Sequence, residues 1–134
     1  MKKNGFTLLE LLVVIGIIGI LVALATVSYS SAQRQGRDAR RKQDMTAIQN
    51  AMEQYYSDPI NNFSYPTNCS DAAVYMKSAW PNDPGTGTPY PIMSCDAASY
   101  CICAALDLTT GSNYGPACTG MVAGKIYYCV GNLQ

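Results

Sequence analysis

Histidine is absent from all 134 residues of the chain. This absence removes the side chain most often used as a general base, as a switch near neutral pH and as a metal ligand. Charged residues are scarce too, at 13% of the chain against about 25% in an average soluble protein. The sequence also lacks a glycine-rich phosphate loop and a nucleophile with a neighbouring base. It therefore predicts neither an enzyme nor a cofactor-binding protein.

Charge of one sign does not dominate, because nine basic and nine acidic residues cancel. One basic cluster could bind anionic lipid head groups or nucleic acid, but acids are interleaved with it. These acids and bases can pair at i,i+4 along a helix: Arg34–Asp38, Asp38–Lys42 and Arg40–Asp44. The pattern favours a solvated helix face with internal pairing, so no nucleic-acid partner is predicted.

Proline is missing from the first 58 residues, and glycine is rare there. Residues 32–56 are rich in Ala, Gln, Arg and Met, which are good helix formers. An apolar stripe recurs at helical spacing at Met45, Ile48, Met52 and Tyr55. The sequence predicts one helix from Phe6 to Tyr56, about 75 Å long.

The first part of this predicted helix is almost free of charge. The segment from Phe6 to Val27 is apolar except for two Thr, two Gly and Glu10, and as a helix of about 33 Å it could cross a bilayer core. No small-residue cleavage site follows it closely, so a single-pass anchor fits better than a cleaved secretory signal. An ionisable side chain inside a span is a functional hypothesis by default, which singles out Glu10.

Cysteine is absent from the first 68 residues, and all six cysteines lie in the distal half: Cys69, Cys95, Cys101, Cys103, Cys118 and Cys129. An even number in a loop-rich region predicts disulfides formed in an oxidising compartment. Six cysteines allow 15 pairings, and these stay open, although Cys129 is expected to pair with Cys101 or Cys103 across neighbouring strands. A zinc site built on the Cys101-x-Cys103 pair is the disfavoured alternative, because His and C-x-x-C are both missing. No metal is predicted.

The distal half is predicted to form a small sheet with long loops. Alternating residues predict strands over 100–108 and 125–132, with a third near 90–93. A short helix is expected within 71–80 and a loop over the proline-rich stretch after it. The predicted fold class is α+β, with a long N-terminal α-helix whose second half packs against a small antiparallel β-sheet.

Two rules conflict over orientation in the membrane. Lys2 and Lys3 favour a cytoplasmic N-terminus, whereas the basic residues after the span would place the other end inside. Six cysteines in one half are hard to explain in a reducing compartment. We therefore expect a single-pass protein with a cytoplasmic N-terminus and an external C-terminal domain.

The start of the chain, MKKNG followed by FTLLELLVVIGIIGIL, resembles the N-terminus of type IV prepilins and of the pseudopilins of type II secretion systems. The resemblance covers the first 56 residues closely. It continues loosely through SYP (64–66), NDP (82–84) and PYPI (89–92). It implies a pilin-like fold with a leader peptide (1–5), a transmembrane and assembly helix (6–27), its amphipathic continuation (28–56) and a disulfide-bearing globular head (57–134).

The resemblance also implies a series of processing and assembly steps. A prepilin peptidase would cleave between Gly5 and Phe6 and methylate the new amine of Phe6. Glu10 would meet the N-terminal amine of a neighbouring subunit during assembly. An assembly ATPase and a polytopic platform protein would drive extrusion of the filament from the membrane lipid.

The function implied is that of a structural subunit of an extracellular or periplasmic filament, a type IV pilus or a pseudopilus. Both types stay open. The alternative is a monomeric, membrane-anchored binding or adhesion module. Many pilins carry a proline late in the apolar helix, and this chain has none there, so melting of the helix on assembly is left open.

Overall fold

The structure is a computed structural model and describes residues 5–108, 112–113, 118, 121–122 and 124–133. One long helix, α1 (Leu8–Ser57), is followed by two 3-10 helices (Pro59–Asn61 and Cys69–Tyr75) and three strands, β1 (Ile92–Cys95), β2 (Tyr100–Leu106) and β3 (Ile126–Gly131). The chain divides into two compact units, Met1–Arg34 and Gln35–Gln134. We call them the N-terminal unit and the C-terminal unit.

Helix α1 matches the predicted helix within two residues at its start and one at its end. It stops where proline first occurs, because Pro59 has no N–H to donate to the preceding turn. Asp58 caps the 3-10 helix that follows by accepting from the N–H of Ile60 at 3.0 Å. The side-chain amide of Asn61 donates to the carbonyl of Tyr55 at 2.9 Å and satisfies one of the last carbonyls of α1.

The three strands form one antiparallel sheet in the order β1-β2-β3. In the β2–β3 ladder Cys103 lies opposite Cys129. The β1–β2 ladder has an irregularity between Ile92 and Ser94, which lets the short edge strand bend. The two principal predicted strands are confirmed, with β3 trimmed at both ends.

The core of the C-terminal unit lies between α1 and one face of the sheet. From the helix, Met45, Ile48 and Met52 are each fully buried, while Tyr55 packs against the core from its edge. Alternate residues of β2 belong to the same cluster, namely Tyr100, Ile102 and Ala104. The predicted stripe and the α+β fold class are confirmed.

The opposite face of the sheet buries a second, smaller cluster. Its buried members are Cys101, Cys103, Tyr127 and Cys129. Strand β2 is thus covered on both faces, although its alternation alone is also typical of a half-buried strand.

Two local predictions were wrong in detail. The short helix expected within 71–80 is a 3-10 helix that begins at Cys69 and ends at Tyr75. The strand expected to run to residue 108 ends at Leu106, because the N–H groups of Asp107 and Leu108 donate to the Asp38 carboxylate at 2.9 Å instead of continuing the ladder. The predicted loop between β2 and β3 lies largely outside the described residues.

Candidate processing and assembly segment

The N-terminal unit presents apolar side chains that nothing in the unit covers. From Phe6 to Leu24 the large apolar side chains are exposed to between 48% (Val13) and 89% (Phe6). This part of α1 is long and apolar enough to cross a membrane, and its most apolar window has no buried residue. A soluble monomer rarely exposes so large an apolar surface, so this helix requires lipid or protein around it.

Glu10 closes a capping box with Thr7 at the start of α1. The carboxylate oxygen Oε2 of Glu10 accepts from both the backbone N–H and the hydroxyl of Thr7, each at 2.8 Å. The Thr7 hydroxyl oxygen in turn accepts from the N–H of Glu10 at 3.3 Å. These reciprocal bonds satisfy backbone donors that the first turn of a helix leaves without partners.

Sequence reasoning missed this local role, although its signal is present as Thr-x-x-Glu before an apolar run. Both bonds from Thr7 use the same carboxylate oxygen. Oε1 takes part in neither of them. The capping box therefore explains how the carboxylate is held at the helix start, and its negative charge remains there.

The predicted cleavage site lies just before the helix. Gly5 and Phe6 precede Leu8, the first helical residue, and both are exposed. A side chain built at Gly5 would meet no atom within 4 Å, so the fold does not require glycine there. Lys2 and Lys3 of the predicted leader lie outside the described residues.

In the C-terminal unit a partly buried group of charged side chains, here called the Arg41 cluster, holds three segments together. It consists of Arg41, Asp38, Asp83, Asp107 and Arg37. The Arg41 guanidinium donates to both oxygens of Asp83, at 2.7 and 3.0 Å. It donates to Asp38 at 2.8 Å and lies 3.2 Å from Asp107. Arg37 donates to Asp107 at 2.8 Å.

These contacts shift the pKa values within the cluster. Burial alone would raise the pKa of Asp83, but Arg41 and the N–H groups of Gly85 and Thr86 together lower it below its usual value. Asp107 behaves alike, with burial opposing and Arg37 and Arg41 lowering its pKa. The hydrogen bond from Arg41 to Asp83 is the main cause that raises the pKa of the Arg41 guanidinium.

The expectation of a solvated basic face is therefore wrong at Arg41, which is only 4% exposed. Asp38, predicted to pair with Arg34 and Lys42, turns inward to Arg41. Only the predicted pair between Arg40 and Asp44 is found in the part of the chain that the structure describes, at 3.1 Å. Burial of these groups depends on contacts distant in the chain, which helical spacing cannot reveal.

The proline-containing motifs of the distal half supply much of this packing. Tyr65 is buried in the main core. Tyr90 is buried too and donates to the Asp44 carboxylate at 2.8 Å. Asp83 accepts from the N–H of Gly85 at 2.7 Å, and a side chain at Gly85 would come within 2.8 Å of the Arg41 guanidinium. Glycine is thus needed for this close approach.

All six cysteines are paired in the structure: Cys69–Cys95, Cys101–Cys118 and Cys103–Cys129. The third pair is one of the two partnerships expected for Cys129. The first pair joins the second 3-10 helix to β1, and its Cα atoms lie 5.8 Å apart. The other two converge on β2, where the sulfur atoms of Cys101 and Cys103 are 3.7 Å apart.

Comparison with known proteins agrees with this anatomy. Residues 1–26 match the family described as the prokaryotic N-terminal methylation motif. The type II secretion system core protein G of Pseudomonas aeruginosa is 34% identical over 90 residues, which are 67% of this chain and 57% of that protein. The protein of the same name from Escherichia coli K12 is 38% identical over 66 residues, covering 49% of this chain and 43% of that protein.

A type IV pilin is also similar. The type IV major pilin protein PilA of Myxococcus xanthus is 33% identical over 57 residues, 42% of this chain and 26% of that protein. The chain thus spans between a quarter and three fifths of the length of these relatives. No solved structure matches.

The exposed apolar helix, the methylation motif at its start and these relatives define a class of protein. The chain belongs to the family of type IV pilins and type II secretion pseudopilins.

Proposed function

We propose that the chain is a structural subunit of a helical filament, a pseudopilus or a type IV pilus, assembled from the membrane after removal of residues 1–5. One observation carries the proposal. The methylation motif leads directly into an exposed apolar helix that has Glu10 as its only charge before Arg34. In the proposed filament the apolar surface is covered first by lipid and then by neighbouring copies of the same helix.

Cleavage between Gly5 and Phe6 creates the partner that Glu10 requires. It removes Lys2 and Lys3, leaving 9 − 2 = 7 basic and nine acidic side chains, a side-chain charge of −2. It also exposes a positive amine at Phe6, which methylation by the same peptidase leaves able to carry charge. A carboxylate without a partner in an apolar bundle is costly, whereas one paired with an ammonium group is tolerable.

The pairing between copies would fix the stagger of neighbouring helices. An exposed apolar surface offers many nearly equivalent ways to slide one helix along another. A single buried polar pair removes most of them, as a buried asparagine sets register in coiled coils. Because Thr7 already occupies one oxygen of Glu10, the amine of the neighbouring Phe6 is proposed to bind the other.

We extend the proposal to the remaining partners and places, with the resemblance to prepilins as support. A prepilin peptidase cleaves and methylates, and an assembly ATPase and a platform protein drive extrusion. The N-terminus starts on the cytoplasmic side, and the disulfide-bearing part lies outside. The segments 1–5, 6–27, 28–56 and 57–134 serve as leader, membrane and assembly helix, amphipathic continuation and head.

The relatives favour a pseudopilin over a pilin. The similarity to core protein G of Pseudomonas aeruginosa covers 67% of this chain, whereas the similarity to the pilin of Myxococcus xanthus covers 42%. The longer match spans 90 residues, more than the 50 residues of α1. We therefore propose a place in a secretion pseudopilus rather than in a surface pilus.

Processing gives the direct test of this proposal. Mass spectrometry of the protein purified from membranes should show a chain that begins at methylated Phe6. The variant Gly5→Glu should keep the leader, because the proposed peptidase requires a small residue before the cut, while Asn4→Gln one position earlier should be processed normally.

Two results would overturn it. A mature chain that still begins at Met1, or one cut beyond residue 28, would exclude the proposed peptidase. Correct processing without any filament, when the assembly proteins are present, would instead favour the membrane-anchored binding module.

A further inference from the structure

Five basic residues follow the apolar segment of α1, and the structure separates them by partner. They are Arg34, Arg37, Arg40, Arg41 and Lys42. Arg37, Arg40 and Arg41 form ion pairs with carboxylates of the C-terminal unit. The Nζ atom of Lys42 lies 5.8 Å from the centroid of the Tyr128 ring. Four of the five therefore have a partner within the chain.

Arg34 is the exception, and it is exposed. Its predicted partner was Asp38, but that carboxylate accepts hydrogen bonds from Arg41 and from the N–H groups of Asp107 and Leu108. Among the residues that the structure describes, none forms an ion pair with Arg34. Its guanidinium is thus available to a ligand from outside the chain, and it favours one that carries negative charge.

The position of Arg34 along α1 corresponds to the head-group layer of a membrane. Glu10 is most stable at the boundary of the hydrocarbon core, since a charge deeper in lipid is costly. Counted from Glu10 at 1.5 Å per residue, Tyr29 lies about 29 Å and Arg34 about 36 Å along the helix axis. The core is about 30 Å thick, and the bilayer with its head groups about 40 to 45 Å. Arg34 therefore lies among the head groups of the leaflet farther from Glu10.

Tyr29 and the tilt of the helix agree with this depth. Tyr29 is 70% exposed and falls at the core boundary, where tyrosine is enriched in membrane proteins. A tilt of about 20° shortens the axial distance from Glu10 to Arg34 to about 34 Å, which is still beyond the core. The guanidinium thus stays at the level of the lipid phosphates.

We propose that Arg34 binds the phosphate group of an anionic phospholipid in the leaflet farther from Glu10, with Tyr29 at the core boundary beneath it. The inference rests on the membrane placement of α1 in the proposed function. A guanidinium presents a planar fork of N–H donors that can bind two phosphate oxygens at once. The acyl chains of the lipid pack against the apolar helix below, which free phosphate cannot do.

The preference for an anionic lipid follows from the charge of the head group. In a zwitterionic lipid such as phosphatidylcholine, an ammonium group attached to the phosphate repels the guanidinium. Phosphatidylglycerol has no such cation. The attraction of one basic side chain to an anionic membrane surface corresponds to about fivefold enrichment of the anionic lipid.

Nanodiscs that contain the full chain and equal amounts of phosphatidylglycerol and phosphatidylcholine, with the same acyl chains, test the proposal. Native mass spectrometry counts the lipids that remain bound when the chain leaves the disc. The ratio of bound phosphatidylglycerol to phosphatidylcholine should be about fivefold lower for Arg34→Gln than for the unsubstituted chain. Arg40→Gln is the matched control and should leave the ratio unchanged, because the Arg40 side chain is 64% exposed but paired with Asp44. Lys2 and Lys3 are present in every variant, so their contribution cancels.

Four results would overturn the proposal. The first is an unchanged lipid ratio in Arg34→Gln, and the second is an equal fall in Arg40→Gln. The third is displacement of the bound lipid by millimolar inorganic phosphate, which would identify free phosphate as the ligand. The fourth is an unchanged ratio in Arg34→Gln together with a loss of filaments, which would identify a second copy of the chain as the partner.

Extraction of the membranes with alkaline carbonate separates this inference from the proposed function. A chain that stays in the membrane but binds lipid independently of Arg34 disproves only the lipid site. A chain that carbonate releases has no membrane-spanning helix, and the proposed function then fails with the inference.

Discussion

The two units of the chain differ in how their charged side chains find partners. The N-terminal unit has a single carboxylate, Glu10, at the start of an exposed apolar helix, where two hydrogen bonds from Thr7 hold it. The C-terminal unit buries one guanidinium among three carboxylates, with every partner supplied by its own chain. The comparison separates residues that serve folding, which are satisfied within the chain, from residues that serve assembly, which require a second copy.

The largest expected effect is in the C-terminal unit. Arg41→Met leaves Asp38, Asp83 and Asp107 facing one another without their shared cation. Breaking a buried pair in this way costs about 3 to 5 kcal/mol of unfolding free energy. Urea unfolding of the full chain in micelles, followed by the near-ultraviolet signal of its tyrosines, measures the change.

Arg40→Met is the matched control, because the Arg40 side chain is 64% exposed and its pair should contribute less than about 1 kcal/mol. Equal effects of the two substitutions would contradict the contrast between buried and exposed charges. They would also show that the Arg41 cluster is not what holds the three segments together.

A slightly smaller loss of unfolding free energy is expected when the disulfide on the side of the main core, Cys69–Cys95, is removed. Cys69→Ser/Cys95→Ser opens a loop with a sequence separation of 26 residues, which corresponds to about 3.5 kcal/mol in the chain-entropy account. The urea midpoint should fall while processing at Gly5 continues. A variant that is stable but no longer cleaved would contradict the assignment of processing to the N-terminal unit and of fold stability to the C-terminal unit.

Acid should weaken the C-terminal unit. Asp83 and Asp107 have pKa values below those of unfolded carboxyls, so their stabilisation is complete above about pH 4 and is lost as pH falls through the folded values. The Arg41→Met variant should instead gain stability as pH falls from 7 towards 4, a range in which this contribution does not change in the unsubstituted chain. Protonation there relieves the repulsion between carboxylates that have lost their shared guanidinium.

Urea midpoints of both proteins measured from pH 7 to pH 3 check this contrast. Parallel pH profiles for the two proteins would show that the carboxylates do not act through Arg41.

The sequence alone predicts the parts of the fold that depend on the spacing of residues close together in the chain. The helix of α1, the stripe of Met45, Ile48 and Met52, and the alternation of β2 all follow from periodicity over a few residues. The Arg41 cluster does not, because Asp83 and Asp107 lie 42 and 66 positions away from Arg41 in the chain and only the fold brings them to it. The pairing of Cys101 with Cys118 escaped for the same reason.

Glu10 shows the opposite failure. The pattern Thr7-x-x-Glu10 is enough to predict its local capping role. The sequence was interpreted there only as a membrane span. A carboxylate that caps a helix needs no neighbour to explain its presence. The assembly role must therefore be tested with a change that keeps the cap and removes the charge.

Glu10→Gln is that change, since glutamine also serves as the third helical residue of a capping box. The account predicts no change in the urea midpoint of the C-terminal unit and normal cleavage before Phe6. Filaments counted by electron microscopy in cells with the assembly proteins should be lost. Normal filaments from the processed Glu10→Gln chain would contradict the account, because the charge at the helix start would then have no part in assembly.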